Sequence, residues 1–243
     1  MSVKILVVRC GTVPYEEARE TQRRLAQERQ RGEIPDVLLL LEHPPVYTRG
    51  RRSTAAELPM GAEWYERQGI EVRDTDRGGR VTYHGPGQLV AYPIVSLRPY
   101  KDDVHDYVRR LERVMIESLA EHGVRAGLSE GETGVWVGER KIGSIGVHVS
   151  RGVTTHGLAV NVNNDLQPFE WVVPCGIEGC QVTSLSRELG AEQDLEAFAS
   201  TLAAKFAEVY DRAPVETTLA AFCTHTGQNA ARVEPSTTLG GTR

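Results

Sequence analysis

Cys175 stands in Val173-Pro174-Cys175-Gly176-Ile177, between a proline and a glycine and directly after a short apolar run. That context puts a thiol on a constrained turn, where it can be offered to a cleft as a nucleophile. The thiolate is the attacking form, and position alone does not set its pKa. The alternative for any free cysteine is a small buried hydrophobe. Cys180 follows five positions later, a spacing that does not fit a zinc site without a second Cys or His pair. Cys10, at the end of an apolar run, and Cys223, near the C-terminal tail, read as structural or inert. Lys141 is a second candidate. It follows the turn Gly138-Glu139 and opens a strand, with Gly143 and Gly146 leaving room where something approaches the backbone. Buried there against a ligand, a lysine acquires a lowered pKa and can act as a base. Solvated at a strand start, it does neither. Of the 28 Lys+Arg residues only Lys4, Lys101, Lys141 and Lys205 are lysine. Arginine does not titrate in a protein, so a lysine kept in an arginine-rich chain gains weight as a proton carrier.

Two histidines could serve as a base toward Cys175: His84 in the sharply turned His84-Gly85-Pro86-Gly87-Gln88, and His156 before Gly157 in mid-strand. A structural role is the alternative for each. Arg77-Gly78-Gly79-Arg80 is not followed by a helix and lacks Gly-Lys-Ser/Thr, so it is not a nucleotide loop. A glycine-rich turn that lets a substrate pack on backbone suits it better.

These residues need elements to hold them. Lys4 to Val8, Val37 to Leu41, Ile70 to Thr75 and Gln88 to Leu97 read as strands, with residues 76–87 as a glycine-rich loop and residues 49–63 as a surface segment without period. Pro14 opens a helix over Tyr15 to Gln30. Val104, Tyr107, Leu111, Met115 and Leu119 keep helical spacing within Asp103 to His122, and Gly123 stops that helix. Thr133–Val137, Lys141–Val149 and Thr154–Val162, joined by short glycine-containing turns, predict an antiparallel meander. Leu195 to Tyr210 is a helix with Asp194 as its N-cap. The fold class is therefore α/β (α+β), a single domain whose mixed, partly antiparallel sheet is flanked by helices. The domain is expected to span 1–225, and the small, polar tail 226–243 to be disordered.

Composition narrows the function. A chain of 243 residues with 40% hydrophobic and 25% charged residues is that of a globular protein able to bury a full core. The net charge of −5 opposes nucleic-acid binding through phosphate neutralisation. No apolar run approaches the ~18 residues of a membrane helix. Met1 to Gly11 lacks a basic n-region, so no secretory signal is expected. Four scattered cysteines fit a reducing cytoplasm.

Taken together, several segments resemble the lipoyl(octanoyl) transferases of lipoate biosynthesis. They are Leu41-Glu42-His43-Pro44-Pro45-Val46-Tyr47-Thr48; Arg77-Gly78-Gly79 through Thr82-Tyr83-His84-Gly85-Pro86-Gly87-Gln88; Gly138-Glu139-Arg140-Lys141-Ile142 with Ile145-Gly146; His156-Gly157 leading into Asn161; and Pro174-Cys175-Gly176-Ile177. Order and spacing agree over roughly residues 1–215, and the tail from Thr226 has no counterpart. The resemblance implies the fold of biotin and lipoate protein ligases. It also implies an acyltransferase that moves an octanoyl (or lipoyl) group from acyl carrier protein to a specific lysine of lipoyl domains, the first step of endogenous protein lipoylation. The acceptors would be the lipoyl domains of 2-oxoacid dehydrogenases and the glycine-cleavage H protein. Cys175 would form the acyl-thioester, and Lys141 would lower its pKa and transfer protons. Arg77, Gly78, Gly79, Arg80, Val81, Thr82, Tyr83 and His84, with Ser144, Ile145, Gly146, Gly157, Leu158 and Ala159, would line the acyl site. The implied enzyme needs no metal, no cofactor and no ATP, because the acyl group arrives on the phosphopantetheine arm of its carrier. It would act as a cytoplasmic monomer that engages neither nucleic acid nor membrane. An ATP-dependent ligase on the same fold, or a non-catalytic module that binds acylated carrier protein, are the competing readings.

Overall fold

The computed structural model describes residues 3–101, 103–172, 180–218 and 222. Cys175, Cys223 and the tail 226–243 lie outside the described residues. The elements in chain order are β1 (Val3–Thr12), α1 (Tyr15–Arg31), β2 (Asp36–Glu42), β3 (Val46–Arg49), α2 (Ala62–Arg67), β4 (Glu71–Asp74), β5 (Val81–His84) and β6 (Gln88–Ile94). They continue with α3 (Val104–Glu121), β7 (Gly127–Ser129), β8 (Glu132–Val137), β9 (Arg140–Ser150), β10 (Val153–Asn161), α4 (Gln167–Glu170), α5 (Leu185–Leu189), α6 (Leu195–Val209) and β11 (Arg212–Thr218).

Eight strands form one mixed sheet in the order β11-β1-β2-β6-β10-β9-β8-β7. β1 runs parallel to both β11 and β2. From β2 to β7 every pairing is antiparallel. The predicted meander is the run β8-β9-β10. β2 and β6 are buried along nearly their whole length, as strands covered on both faces must be. α3 and α6 cover one face, where Leu111, Met115, Phe198 and Phe206 join Ile5, Leu38 and Leu158. α1 covers the other, where Ala18 and Leu25 meet Val37, Leu39 and Val90.

Helix ends follow local chemistry. Asp103 caps α3 by accepting from the N–H groups of His105 and Asp106 at 2.9 and 3.0 Å, and Asp194 caps α6 by accepting from Ala197 at 3.0 Å. Gly123, beyond the end of α3, adopts φ +83°, a conformation that glycine tolerates best. No helix among the described residues is long and apolar enough to cross a membrane.

The structure corrects two readings of the sequence. Residues 49–63 contain the end of β3, a 3-10 turn at Ala55–Glu57 and the start of α2. The glycine-rich stretch 76–87 is not all loop, because Val81–His84 form β5. β3, β4 and β5 make a separate three-stranded sheet, order β4-β3-β5. These strands have four residues each, and Tyr47, Tyr65, Tyr83 and Phe169 pack behind them.

Candidate active site

A cavity of about 600 Å³ opens between the small sheet, the β9–β10 hairpin and the N-terminal half of α3. Its wall includes Arg77, Gly78, Gly79, Arg80, Thr82 and His84 from one side and Ser144, Ile145, Gly146, Leu158 and Ala159 from another. Val81, Tyr83 and Gly157, expected in the same wall, are elsewhere. Alternation along β5 sends Thr82 and His84 to the cavity and Val81 and Tyr83 into the cluster behind the sheet. The space beside Gly157 is taken by the Ala91 carbonyl and Pro93.

Lys141 lines the cavity and is only 5% exposed. Its Nζ donates to the Thr133 carbonyl at 3.0 Å and lies 5.2 Å from the centre of the Trp136 ring. Gly134 makes room for it: a Cβ there would sit 2.9 Å from Lys141 Cε and 2.5 Å from the Gly143 carbonyl oxygen. The glycines near Lys141 serve the protein's own packing more than an open floor. A Cβ on Gly143 would meet Met115 Sδ at 2.7 Å, and one on Gly146 would meet Arg77 Cδ at 2.8 Å. Arg77 is itself buried, its guanidinium donating to the Thr48 carbonyl at 2.6 Å and to Thr48 Oγ1 at 2.7 Å.

Lys141 is also tied to the chain that follows Cys175. Its N–H donates to the Gln181 carbonyl at 2.8 Å, and its carbonyl accepts from the Thr183 N–H at 2.9 Å. A buried amide chain continues from there. Asn161 Nδ2 donates to the Thr183 carbonyl at 3.0 Å, and Gln88 Nε2 donates to Asn161 Oδ1 at 2.9 Å. Gln88 Oε1 takes the remaining contact, 2.7 Å from His84 Nδ1. Gln88 can only accept there, so Nδ1 carries the proton and Nε2 of the neutral ring is unprotonated. Burial holds the His84 pKa well below its ordinary value, and the neighbouring His43 adds to this.

His156 also faces the cavity, with φ +57° in the interior of β10. Its N–H donates to Gln22 Oε1 at 2.6 Å, and its Nε2 lies 2.9 Å from Asp76 Oδ1. Burial lowers the His156 pKa against the opposing pull of Asp76, and the hydrogen bond from His156 holds the Asp76 carboxyl below the usual range. His156 pairs with Val147, six positions along β9 from Lys141. At ~3.3 Å per residue the two are separated by roughly 20 Å along the strand. They share a cavity but stand far apart along it.

The lipoyl protein ligase A/B catalytic domain family matches residues 14–207. An octanoyltransferase of Solibacter usitatus is 49% identical over 201 residues, covering 83% of this chain and 90% of the relative. The chain belongs to the octanoyltransferase family. The mitochondrial octanoyltransferase LIP2 of Arabidopsis thaliana is 48% identical over 183 residues, 75% of this chain and 78% of the relative. Among solved structures, a T. acidophilum protein described as a lipoate protein ligase superposes with a TM-score of 0.68 at 18% identity, covering 90% of this chain and 89% of that one. Lipoate-protein ligase A bound with ATP gives 0.67 at 19% identity, with 90% of each chain covered. These two show that this octanoyltransferase-family chain has the lipoate ligase fold.

Sequence reasoning passed over the α3 side of the cavity, which this family member builds from Val104, His105, Val108, Arg109 and Glu112. A carboxylate at position 112, one residue after the core position Leu111, gives no such signal by itself, and only its burial sets it apart. Tyr15, which opens α1, and Asp76, in the glycine-rich stretch, also meet here: Tyr15 donates to Thr75 Oγ1 at 2.9 Å, and Thr75 Oγ1 lies 3.4 Å from His156 Nε2.

Proposed function

We propose that this enzyme transfers an octanoyl (or lipoyl) group from acyl carrier protein to a lysine of lipoyl domains through a thioester on Cys175, with Lys141 as proton carrier. The observation that carries this reading is a buried lysine in a large cavity, its backbone paired to the segment Gln181–Thr183 that follows Cys175 in sequence. The Cys175 thiolate attacks the carbonyl carbon of the donor thioester, forming one C–S bond as the bond to the pantetheine sulfur breaks. The Lys141 ammonium favours the thiolate and gives its proton to the departing pantetheine sulfur. The acceptor lysine then attacks the enzyme thioester. The neutral Lys141 amine takes the proton that this amine sheds, and Cys175 leaves as thiolate. Thioester exchange is nearly balanced in energy and amide formation runs downhill, so no ATP is needed.

The acyl chain lies against the walls formed by Arg77–Arg80, Thr82 and His84, by Ser144–Gly146 and by Leu158–Ala159. His84 and His156 shape that cavity as neutral rings. The acceptors are the lipoyl domains of 2-oxoacid dehydrogenases and the glycine-cleavage H protein. One catalytic domain, 1–225, carries the activity, acting as a monomer in the cytoplasm. Octanoyltransferases of 48–50% identity favour transfer over the ligase chemistry of fold neighbours below 20%. The test offers a lipoyl domain two donors. Modification with octanoyl-acyl carrier protein and no nucleotide is expected, and modification only with ATP and free octanoate would replace this reading with the ligase.

A further inference from the structure

Glu112 is 1% exposed, on the cavity face of α3. Its Oε2 pairs with Arg109 Nη1 at 2.7 Å, and Arg109 extends to solvent with 64% of its side chain exposed. Its Oε1 accepts from the Gly134 N–H at 3.1 Å. Gly134 is the residue whose absent side chain admits Lys141, with Nζ 3.4 Å from where a Cβ would be. The next residue back, Thr133, supplies the carbonyl that receives Nζ. A stretch of β8 with φ +121° at Gly134 is thus pinned from one side by a buried carboxylate and presents the Thr133 carbonyl to a buried ammonium on the other.

Burying a carboxylate is costly unless its oxygens are matched, and here both are: one by a guanidinium, one by a main-chain N–H. A helix-to-sheet contact needs no charge, and α3 already packs on the sheet through Leu111, Val114, Met115 and Leu119. We propose that Glu112 is a positioning residue for Lys141, acting through Gly134 and Thr133 to hold the ammonium where the transfer needs it. This rests on the role given to Lys141 above, and the two can fail separately.

With only four lysines in the chain, each side-chain carbon can be followed by lysine-selective NMR. Lys4 and Lys101 are exposed, and Lys205 is ion-paired with Glu121 and Glu208. The Lys141 signal is therefore expected to stand apart. Glu112→Ala removes the acceptor for Gly134. Glu112→Gln keeps the shape and that acceptor but turns an amide donor toward Arg109, and it serves should the alanine variant not fold. In Glu112→Ala the Lys141 signal should move toward those of Lys4 and Lys101, and in Glu112→Gln, where only the Arg109 pairing is lost, it should move the same way by less. Turnover should fall on the order of 10²-fold in Glu112→Ala, the scale of an ångström-level misplacement, and less in Glu112→Gln, with KM little changed. A merely structural helix anchor would lower thermal stability and leave the Lys141 signal in place, and that result overturns the proposal. A displaced signal with full turnover would keep Glu112 as the holder of Lys141 and overturn the chemistry assigned to Lys141 instead.

Discussion

The backbone of Lys141 is paired in parallel with Gln181–Thr183, the Lys141 N–H donating to the Gln181 carbonyl at 2.8 Å. The contact is main chain to main chain, so the side chain of Gln181, which is exposed, should be dispensable. Gln181→Ala is expected to stay within about 0.5 kcal/mol of the parent in stability and to keep its turnover. Thr183→Pro removes the N–H that the Lys141 carbonyl accepts and should cost about 1–3 kcal/mol with a large loss of turnover. Melting curves and initial rates on both variants check this.

Lys141→Arg separates charge from proton transfer. Arginine keeps the cation but does not release a proton near neutral pH, and the space between Gly134 and Trp136 is fitted to lysine. Turnover should fall at least ~10²-fold in Lys141→Arg and in Lys141→Ala. Alkylation of Cys175 at neutral pH should slow in the alanine variant and stay nearer the parent in the arginine variant. Near-parental turnover in Lys141→Arg would reduce the residue to an electrostatic role.

Much of this was legible in the sequence. The meander β8-β9-β10 showed as three apolar runs between short glycine turns, and α3 and α6 showed as clean helical spacing, α6 behind its Asp194 cap. Of the small sheet only β4 showed, within the strand read at Ile70 to Thr75, because strands as short as Val46–Arg49 and Val81–His84 carry too little alternation to stand out. β11 did not show because its pairing with β1 is long-range and Pro214 interrupts its pattern. Lys141 and the Arg77 stretch could be singled out from residue type and turn context. Glu112 could not, since a carboxylate on an amphipathic helix usually marks the solvated face and only packing shows that this one is buried.

Gly157 tests the packing directly. Alanine at 157 would drive a methyl group into the Ala91 carbonyl and Pro93 on β6, in the middle of the sheet. Gly157→Ala should lose about 1–3 kcal/mol of stability, the usual scale of overpacking. An unchanged melting temperature would mean that β6 and β10 yield more than a packed sheet should.

Acid should weaken the fold through His43. Its Nδ1 donates to the Val13 carbonyl at 2.6 Å, and its Nε2 accepts from Tyr92 Oη at 2.8 Å, so the ring is held neutral. Burial lowers its pKa from 6.5 to about 4. Between those values the unfolded chain binds more protons than the folded one, so stability is full above pH ~6.5 and declines as pH falls toward ~4. The loss is of order 3 kcal/mol. His84 and His156 act in the same direction. His43→Gln can keep both hydrogen bonds without titrating and should reduce the slope of stability against pH without abolishing it, as denaturant midpoints across that range will show.

Docking of an acidic carrier needs local positive charge on a chain of net −5. Arg49, Arg51 and Arg52 cluster in sequence, but the Arg49 guanidinium is 2.7 Å from Asp74. Arg51 and Arg52 are exposed, and Arg52 lies on the cavity wall. Neutralising Arg51 and Arg52 should slow association with the acyl donor and flatten its salt dependence, while Arg49→Ala should do less. Identical association rates across a salt series would place docking on another face.

The central claim is a covalent acyl-enzyme, and intact-mass spectrometry reads it directly. Incubation with octanoyl-acyl carrier protein alone should add one octanoyl group to the enzyme, mapped to Cys175, released by hydroxylamine and absent in Cys175→Ala. An adduct that persists in Cys175→Ala, with Cys180 the first place to look, or full transfer to a lipoyl domain by that variant, would contradict the account.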